Sequence, residues 1–126
     1  MKKILVIDEN ETMRENTSEI LELSNYVVLS ARNCEIGVEI ANGNAPALIV
    51  CNLTGLGSIA LSALKKIKWN KNISEPEFIY LTDNPDAPGL SGSANFGEGT
   101  YLRMPFEGNE LLQAVSGCFN KIEKKL

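Results

Sequence analysis

Three short apolar runs, Ile4 to Ile7, Leu48 to Cys51 and Phe78 to Leu81, each give way at once to polar residues. Asp8 and Glu9 follow the first run, Asn52 the second, and Thr82 and Asp83 the third. Near the end of the chain, Arg103-Met104-Pro105-Phe106 follows the shorter run Thr100 to Leu102. Carboxylates are hard oxygen ligands for a divalent cation, and an amide carbonyl can join them. A carboxylate can also attack phosphorus, whereas the amide oxygen of an asparagine is a poor nucleophile. The loop Asp8-Glu9-Asn10-Glu11 lacks the glycines and hydroxyls that present donors to a phosphate, and its charge would repel one. Taken singly, each of these residues would serve equally well as a solvated strand end or turn.

For these residues to meet, the runs must lie side by side. Continuous apolar runs without alternation suit strands covered on both faces, as parallel sheets are. Tyr26 to Ser30 and Thr100 to Leu102 read as two weaker strands. Between Glu11 and Leu23 the residues Met13, Thr17, Ile20 and Leu21 share one helical face, with Asn10 as N-cap and Glu11 favourable in the first turn. A second helix runs from Cys34 to about Asn42, with Asn33 as N-cap, Cys34, Val38 and Ala41 facing inward and Gly43 as the C′ residue. A third, Ser58 to Trp69, turns Leu61, Leu64 and Ile67 inward. The last, Glu107 to about Glu123, presents Leu112, Val115, Phe119 and Ile122. Asn84 to Gly99 contains Pro85, Pro88 and several glycines, so a fourth helix there is expected to be short or distorted. Strand and helix alternating five times predict a single α/β domain over residues 1–126, a five-stranded doubly wound parallel sheet flanked by five helices. Ligands of such sheets meet the carboxyl ends of the strands, where the polar residues fall.

Composition narrows the function. With 126 residues, 44% of them hydrophobic, the chain can build one continuous core. Its 12 basic and 16 acidic residues leave a net charge of -4, which gives no general attraction to nucleic acid or to anionic lipid. Lys121, Lys124 and Lys125 lie where cations complement the end of the last helix. No apolar run approaches bilayer length, and Asp8 ends the first one too early for a signal peptide. Cys34, Cys51 and Cys118 are odd in number and widely spaced, which predicts buried thiols in a reducing cytoplasm rather than disulfides or a zinc site. Cys51 is expected to point into the core, with no redox role. Ile36 and Ile40 lie off the face that Val38 and Ala41 turn to the sheet, as ordinary surface residues do.

In order and spacing, Asp8-Glu9, Thr82, Tyr101 and Pro105-Phe106, with Gly97 ahead of the fifth strand, resemble the receiver domain of bacterial two-component response regulators over nearly the whole chain. In that family an acidic pair closing the first strand binds magnesium, and an aspartate closing the third accepts a phosphoryl group. A Thr or Ser follows the fourth strand, and a lysine before a proline, usually in a cis peptide, follows the fifth. The resemblance therefore makes Asp8 and Glu9 the magnesium ligands and Thr82 with Tyr101 the switch residues. The departures fall on the chemistry. Asn52 stands at the acceptor position, where the usual phosphoryl aspartate cannot form. Met104 stands at the lysine position before Pro105, and a thioether cannot neutralise phosphoryl oxygens. Arg103 is adjacent but points to the other side of the strand. Asp83 stands where the family usually has a small residue, and would repel a phosphate. Leu56 and Ala60 replace a proline and a glycine that receivers commonly carry.

These departures lead us to expect a pseudo-receiver, a signal-transduction module that is not an enzyme, has no catalytic residue and no cofactor, and holds Mg²⁺ at Asp8 and Glu9 weakly or not at all. It would act through a protein partner, such as a histidine kinase or a downstream output domain. By the resemblance, that partner would meet the fourth helix, the fifth strand with Tyr101 and the last helix. The alternative is an atypical receiver phosphorylated on another carboxylate, Asp8 or Asp83. A flavodoxin-like nucleotide or flavin binder shares the architecture, but the acidic first loop argues against it.

Overall fold

The computed structural model of the chain describes residues 2–54, 76–83 and 100–124. Within them run the strands β1 (Lys3–Ile7), β2 (Val27–Ala31), β3 (Leu48–Asn52), β4 (Glu77–Thr82) and β5 (Thr100–Arg103). Three helices accompany them, α1 (Glu11–Leu23), α2 (Cys34–Asn44) and α3 (Gly108–Lys124). The strands form one parallel sheet in the order β2-β1-β3-β4-β5. The reversal of order lies between β1 and β3, so the ends of these two strands flank the crevice that such sheets use for ligands.

The apolar runs are continuous because the sheet is covered on both sides. Along β1, Leu5 and Ile7 join Ile49, Cys51, Phe78 and Tyr80 in one buried cluster, where α2 adds Cys34 and Ala41. Ile4 and Val6 point the other way, into a cluster with Leu48, Val50, Ile79 and Leu81 that α1 covers with Leu21 and α3 with Leu111, Val115, Cys118 and Phe119. A strand that must fill two cores can spare no position for a polar side chain until it reaches the sheet edge. The outer strands β2 and β5 are only partly buried, which is why their runs are weaker in the sequence.

Both predicted N-caps form. Asn10 accepts the Met13 N–H at 2.9 Å and Asn33 accepts the Ile36 N–H at 2.8 Å, each satisfying a donor that the first turn leaves free. The predicted end of α2 is not where the helix stops. Gly43 lies inside it, and Ala45 takes the left-handed conformation at φ 47°. Asn44 Nδ2 bonds the Ile40 carbonyl at 2.9 Å and the Ala45 N–H bonds that of Ala41 at 2.9 Å, so the last turn is satisfied without a glycine; Pro46 then prevents continuation. The glycine that matters in α2 is Gly37. A Cβ there would sit 2.6 Å from Ile7 Cδ1, so its absence lets the helix close on β1.

Three further expectations shift. Strand β2 begins at Val27, not Tyr26, whose ring instead stacks on Phe119 with centroids 5.5 Å apart. On α3 the fully buried leucine is Leu111, while Leu112 and Ile122 are half-buried against the same cluster. Ile36 and Ile40 are half-buried against the α2-side core, not surface residues off the packed face. The predicted helices over 58–69 and 84–99, and with them Leu56, Ala60, Trp69 and Gly97, lie outside the described residues. Among the described residues no helix is long and apolar enough to cross a membrane.

Candidate functional site

Backbone hydrogen bonds at the carboxyl edge of the sheet hold the strand ends in register beyond the strands themselves. The Asp8 N–H bonds the Ala31 carbonyl at 3.1 Å, the Leu53 N–H that of Leu81 at 2.8 Å, and the Met104 N–H that of Thr82 at 2.8 Å. Asp8 and Met104, one residue beyond β1 and β5, and Asn52, the last residue of β3, are thereby tied to the edge of the sheet. Asp8 is 1% exposed and Asn52 7% exposed. Burying a carboxylate demands partners. Asp8 Oδ1 accepts the Asn10 N–H at 2.9 Å, and Oδ2 accepts Asn52 Nδ2 at 3.1 Å. Asn52 Oδ1 accepts the Thr54 N–H at 2.9 Å. These two contacts fix which way the amide points, because a flipped amide would set oxygen against carboxylate and N–H against N–H. Arg14 does not reach the carboxylate; its Nη1 donates to the Asp8 backbone carbonyl at 2.8 Å.

Around this pair opens a cavity of about 680 Å³, lined by Asp8, Glu9, Asn10, Met13, Asn52, Thr54, Asp83, Met104 and Pro105. Three of these residues are carboxylates, and none is a cation. Met13, Met104 and Pro105 add apolar lining to these acidic residues. The Met104–Pro105 peptide bond is cis.

Residues 4–116 match the model of the response regulator receiver domain. The chain belongs to this family. A transcriptional regulatory protein of Helicobacter pylori, CrdR, is 29% identical to this receiver over 119 residues, which are 94% of this chain and 55% of that protein. The receiver thus spans about half the length of the curated relatives it matches. A receiver domain protein of Clostridium thermocellum covers 100% of both chains with a TM-score of 0.81 and 25% identity. A CheY-like receiver domain protein of Methanospirillum hungatei reaches a TM-score of 0.87 at 21% identity, covering 100% of this chain and 99% of that one. The predicted five-stranded parallel receiver sheet is therefore the fold of this chain.

Five of the residues singled out from the sequence as pocket residues, Asp8, Glu9, Asn52, Asp83 and Met104, line the receiver's cavity together with the predicted proline, Pro105. Glu9 and Asp83 are exposed in it, whereas Asp8 and Asn52 form its floor. Thr82 and Tyr101 are not among the residues that line it. Thr82 is buried at the end of β4. Tyr101 is half-buried, with its ring 5.3 Å from that of Tyr80, and packs against the α2-side core; burial pushes its phenol pKa up. Arg103 is exposed at the end of β5 and does not line the cavity either. Cys51 is fully buried, as expected from its place in the strand.

Met13, Asn10 and Thr54 also line the cavity, and the strand-end reading did not find them. Met13 shares a helical face with Thr17, Ile20 and Leu21 by spacing, and the fold makes it a lining residue of the cavity together with Pro105. Asn10 and Thr54 each stand two residues beyond a buried polar side chain and donate a backbone N–H to it. That i, i+2 pattern is the one available signal, and it is a common turn device.

Proposed function

We propose that this receiver is a pseudo-receiver, a signal-transduction module that works by binding a protein partner and not by accepting a phosphoryl group. The observation that carries the reading is the hydrogen bond from Asn52 Nδ2 to Asp8 Oδ2 at 3.1 Å. An amide donor occupies the direction in which a phosphoryl-accepting carboxylate would share a cation with Asp8. No nucleophilic oxygen is available at the end of β3, and the lysine position holds the thioether of Met104.

Magnesium does not fit this arrangement as it stands. The buried Asp8 accepts a hydrogen bond at each oxygen, the Asn52 carbonyl is turned to Thr54, and Glu9 lies out on the rim. A hard cation seeking six oxygens would have to turn the amide round, losing both of its bonds. The ion is therefore held weakly or not at all, and no catalytic step runs through it. Receivers act through kinases and output domains, and we assign this chain a partner of that kind. The surface we assign to it carries β5 with Tyr101 and α3, together with the segment between β4 and β5. The compartment that suits three unpaired thiols is the cytoplasm.

The reading is tested by intact mass spectrometry after exposure to acetyl phosphate with Mg²⁺. No stable gain of a phosphoryl group is expected. A second reading, phosphorylation on another carboxylate, is favoured only by the exposed position of Asp83 in the cavity wall. A phosphoryl gain abolished by Asp83→Asn would establish it and end ours. For the partner, a pull-down with the chain and its Tyr101→Ala variant should differ in what is captured; identical capture would move the interface to another face.

A further inference from the structure

Two of the three thiols share one core. Cys34, 5% exposed, and Cys51, 0% exposed, both belong to the buried cluster between the sheet and α2. Cys118 lies in the cluster on the other face, with its Sγ 3.7 Å from Thr100 Oγ1. The fold brings the first two together across Ile7. In the sheet Ile7 stands between Ala31 of β2 and Cys51 of β3. The chain leaves β2 at Ala31 and enters α2 at Cys34, and the start of this helix closes on β1 at Gly37, where a Cβ would meet Ile7 Cδ1 at 2.6 Å. Cys34 and Gly37 are one turn apart on the same helical face, so the close approach at Ile7 also carries Cys34 toward the next strand. There the Cys51 thiol donates a hydrogen bond to the Cys34 sulfur. Taken singly in the sequence, Cys51 is a core residue with no redox role; the tertiary structure gives it a second thiol as its partner.

The two sulfurs are not equivalent. Cys34 is the first residue of α2, where the free backbone N–H groups of the helix start favour a thiolate. The hydrogen bond from Cys51 holds its thiol below the ordinary value of 9.0, although burial pulls the other way. Cys34 also lies nearer the surface, between the exposed residues Arg32 and Glu35 and at a helix end, where local opening is easiest. Cys51 is sealed inside the sheet and can react only with what already touches it.

We propose that Cys34 and Cys51 form a redox modification site, a dithiol that a hydroperoxide converts to an intramolecular disulfide and that a small thiol reductant restores. In the first step the Cys34 sulfur attacks one peroxide oxygen. The O–O bond breaks, the other oxygen leaves with the thiol proton as water or an alcohol, and Cys34 becomes a sulfenic acid. In the second step the Cys51 sulfur attacks the Cys34 sulfur. The S–S bond forms, the S–O bond breaks, and hydroxide leaves with the Cys51 proton as water. Two thiols have then lost two electrons to one peroxide. The link ties the start of α2 to the residue before Asn52, so the oxidation state is recorded one position from the cavity floor. Cytosolic disulfides are mostly transient ones of this sensing kind. The site is independent of the pseudo-receiver reading, since neither thiol lines the cavity.

The test treats the intact folded chain with hydrogen peroxide and follows it by intact mass, by thiol titration after unfolding, and by peptide mapping without reductant. The mass should fall by two hydrogen atoms and the titratable thiols from three to one. The linked peptides should hold Cys34 and Cys51, and dithiothreitol should restore both thiols. Cys118→Ala should still lose two thiols. Cys51→Ala should stop at the sulfenic acid of Cys34, which dimedone traps, and Cys34→Ala should give neither a link nor a trapped Cys51. In urea the same treatment should scatter links among all three cysteines, because the unfolded chain has no preferred pair. The circular dichroism spectrum of the oxidised chain should match that of the reduced one. A link that includes Cys118, a link between two chains, three surviving thiols, or a lost helical spectrum overturns the site.

Discussion

At the middle of the sheet and at its carboxyl edge, residues only a few positions apart answer to different requirements. Leu48, Ile49, Val50 and Cys51 of β3 are fully buried, and each is there to fill a core on one side or the other. Asn52, the next residue, is also buried, yet what surrounds it is a carboxylate, a backbone N–H and an open cavity. The centre matches what any receiver sheet needs, and the residues there could be exchanged for other apolar ones of similar volume. The edge presents Asn52, Met104 and Asp83, the residues on which the proposed pseudo-receiver reading rests, from the ends of the same strands. The residues that fill the two cores and those that line the cavity are thus separate sets, so the proposed pseudo-receiver reading leaves the fold untouched.

Four outcomes would break or sharpen that contrast. The largest effect belongs to the centre: Ile49→Ala removes a fully buried side chain from the α2-side core and should cost about 2–5 kcal/mol in urea unfolding. A loss well below that range would mean that the core is less tightly built than its burial implies. At the edge, Asn52→Asp sets a second carboxylate against Asp8 Oδ2 and removes a donor, costing about 1–3 kcal/mol near neutral pH. The like-charge pair raises its own pKa in the folded state, so this cost grows as pH rises and fades in acid. Mg²⁺ should raise the melting temperature of this variant and leave that of the natural chain unchanged. An equal rise in both would count against the proposed pseudo-receiver reading.

The third outcome concerns alkaline pH. The thiol of Cys51 is pushed well above its ordinary value of 9.0 by its hydrogen bond with Cys34 and by burial, and burial pushes Tyr80 up as well. Groups raised in this way stay protonated in the fold while they ionise in the unfolded chain. Their contribution is complete below about pH 9 and is lost as pH climbs, by up to about 1.4 kcal/mol per pH unit for each group. Urea unfolding from neutral to alkaline pH should show this slope, and Cys51→Ala should flatten it. The smallest effect is at the opposite edge of the sheet. Lys2 Nζ lies 3.3 Å from Glu123 Oε1, but both side chains are at least half exposed, so Glu123→Gln should change stability by less than about 0.5 kcal/mol.

Much of this was legible without coordinates, for reasons that the two regions make plain. Continuous apolar runs betray doubly covered strands, and Asn10 and Asn33 announce helix starts because their side chains do a local job. Strand ends are readable too, since a run that must fill two cores breaks only where the sheet stops. The end of α2 was misread at Gly43, because a left-handed cap is favoured by glycine but not reserved to it, and Ala45 takes the position when Asn44 supplies the missing bond. Met13 keeps the face that helical spacing gives it, but spacing reports a face, not what lies opposite it.

The chain's own residues thus determined the class of fold, the order of its elements, the family resemblance and the presence of an asparagine at the end of β3, since each of these is written in residue type and local spacing. Only the tertiary structure decided that Asn52 donates to Asp8 and accepts from Thr54, that Tyr101 and Thr82 are not among the residues lining the cavity, and that Met13 and Pro105 are. Those are relations between residues distant in the chain. They depend on the register of five strands and on how closely a helix can approach them, which no local pattern encodes.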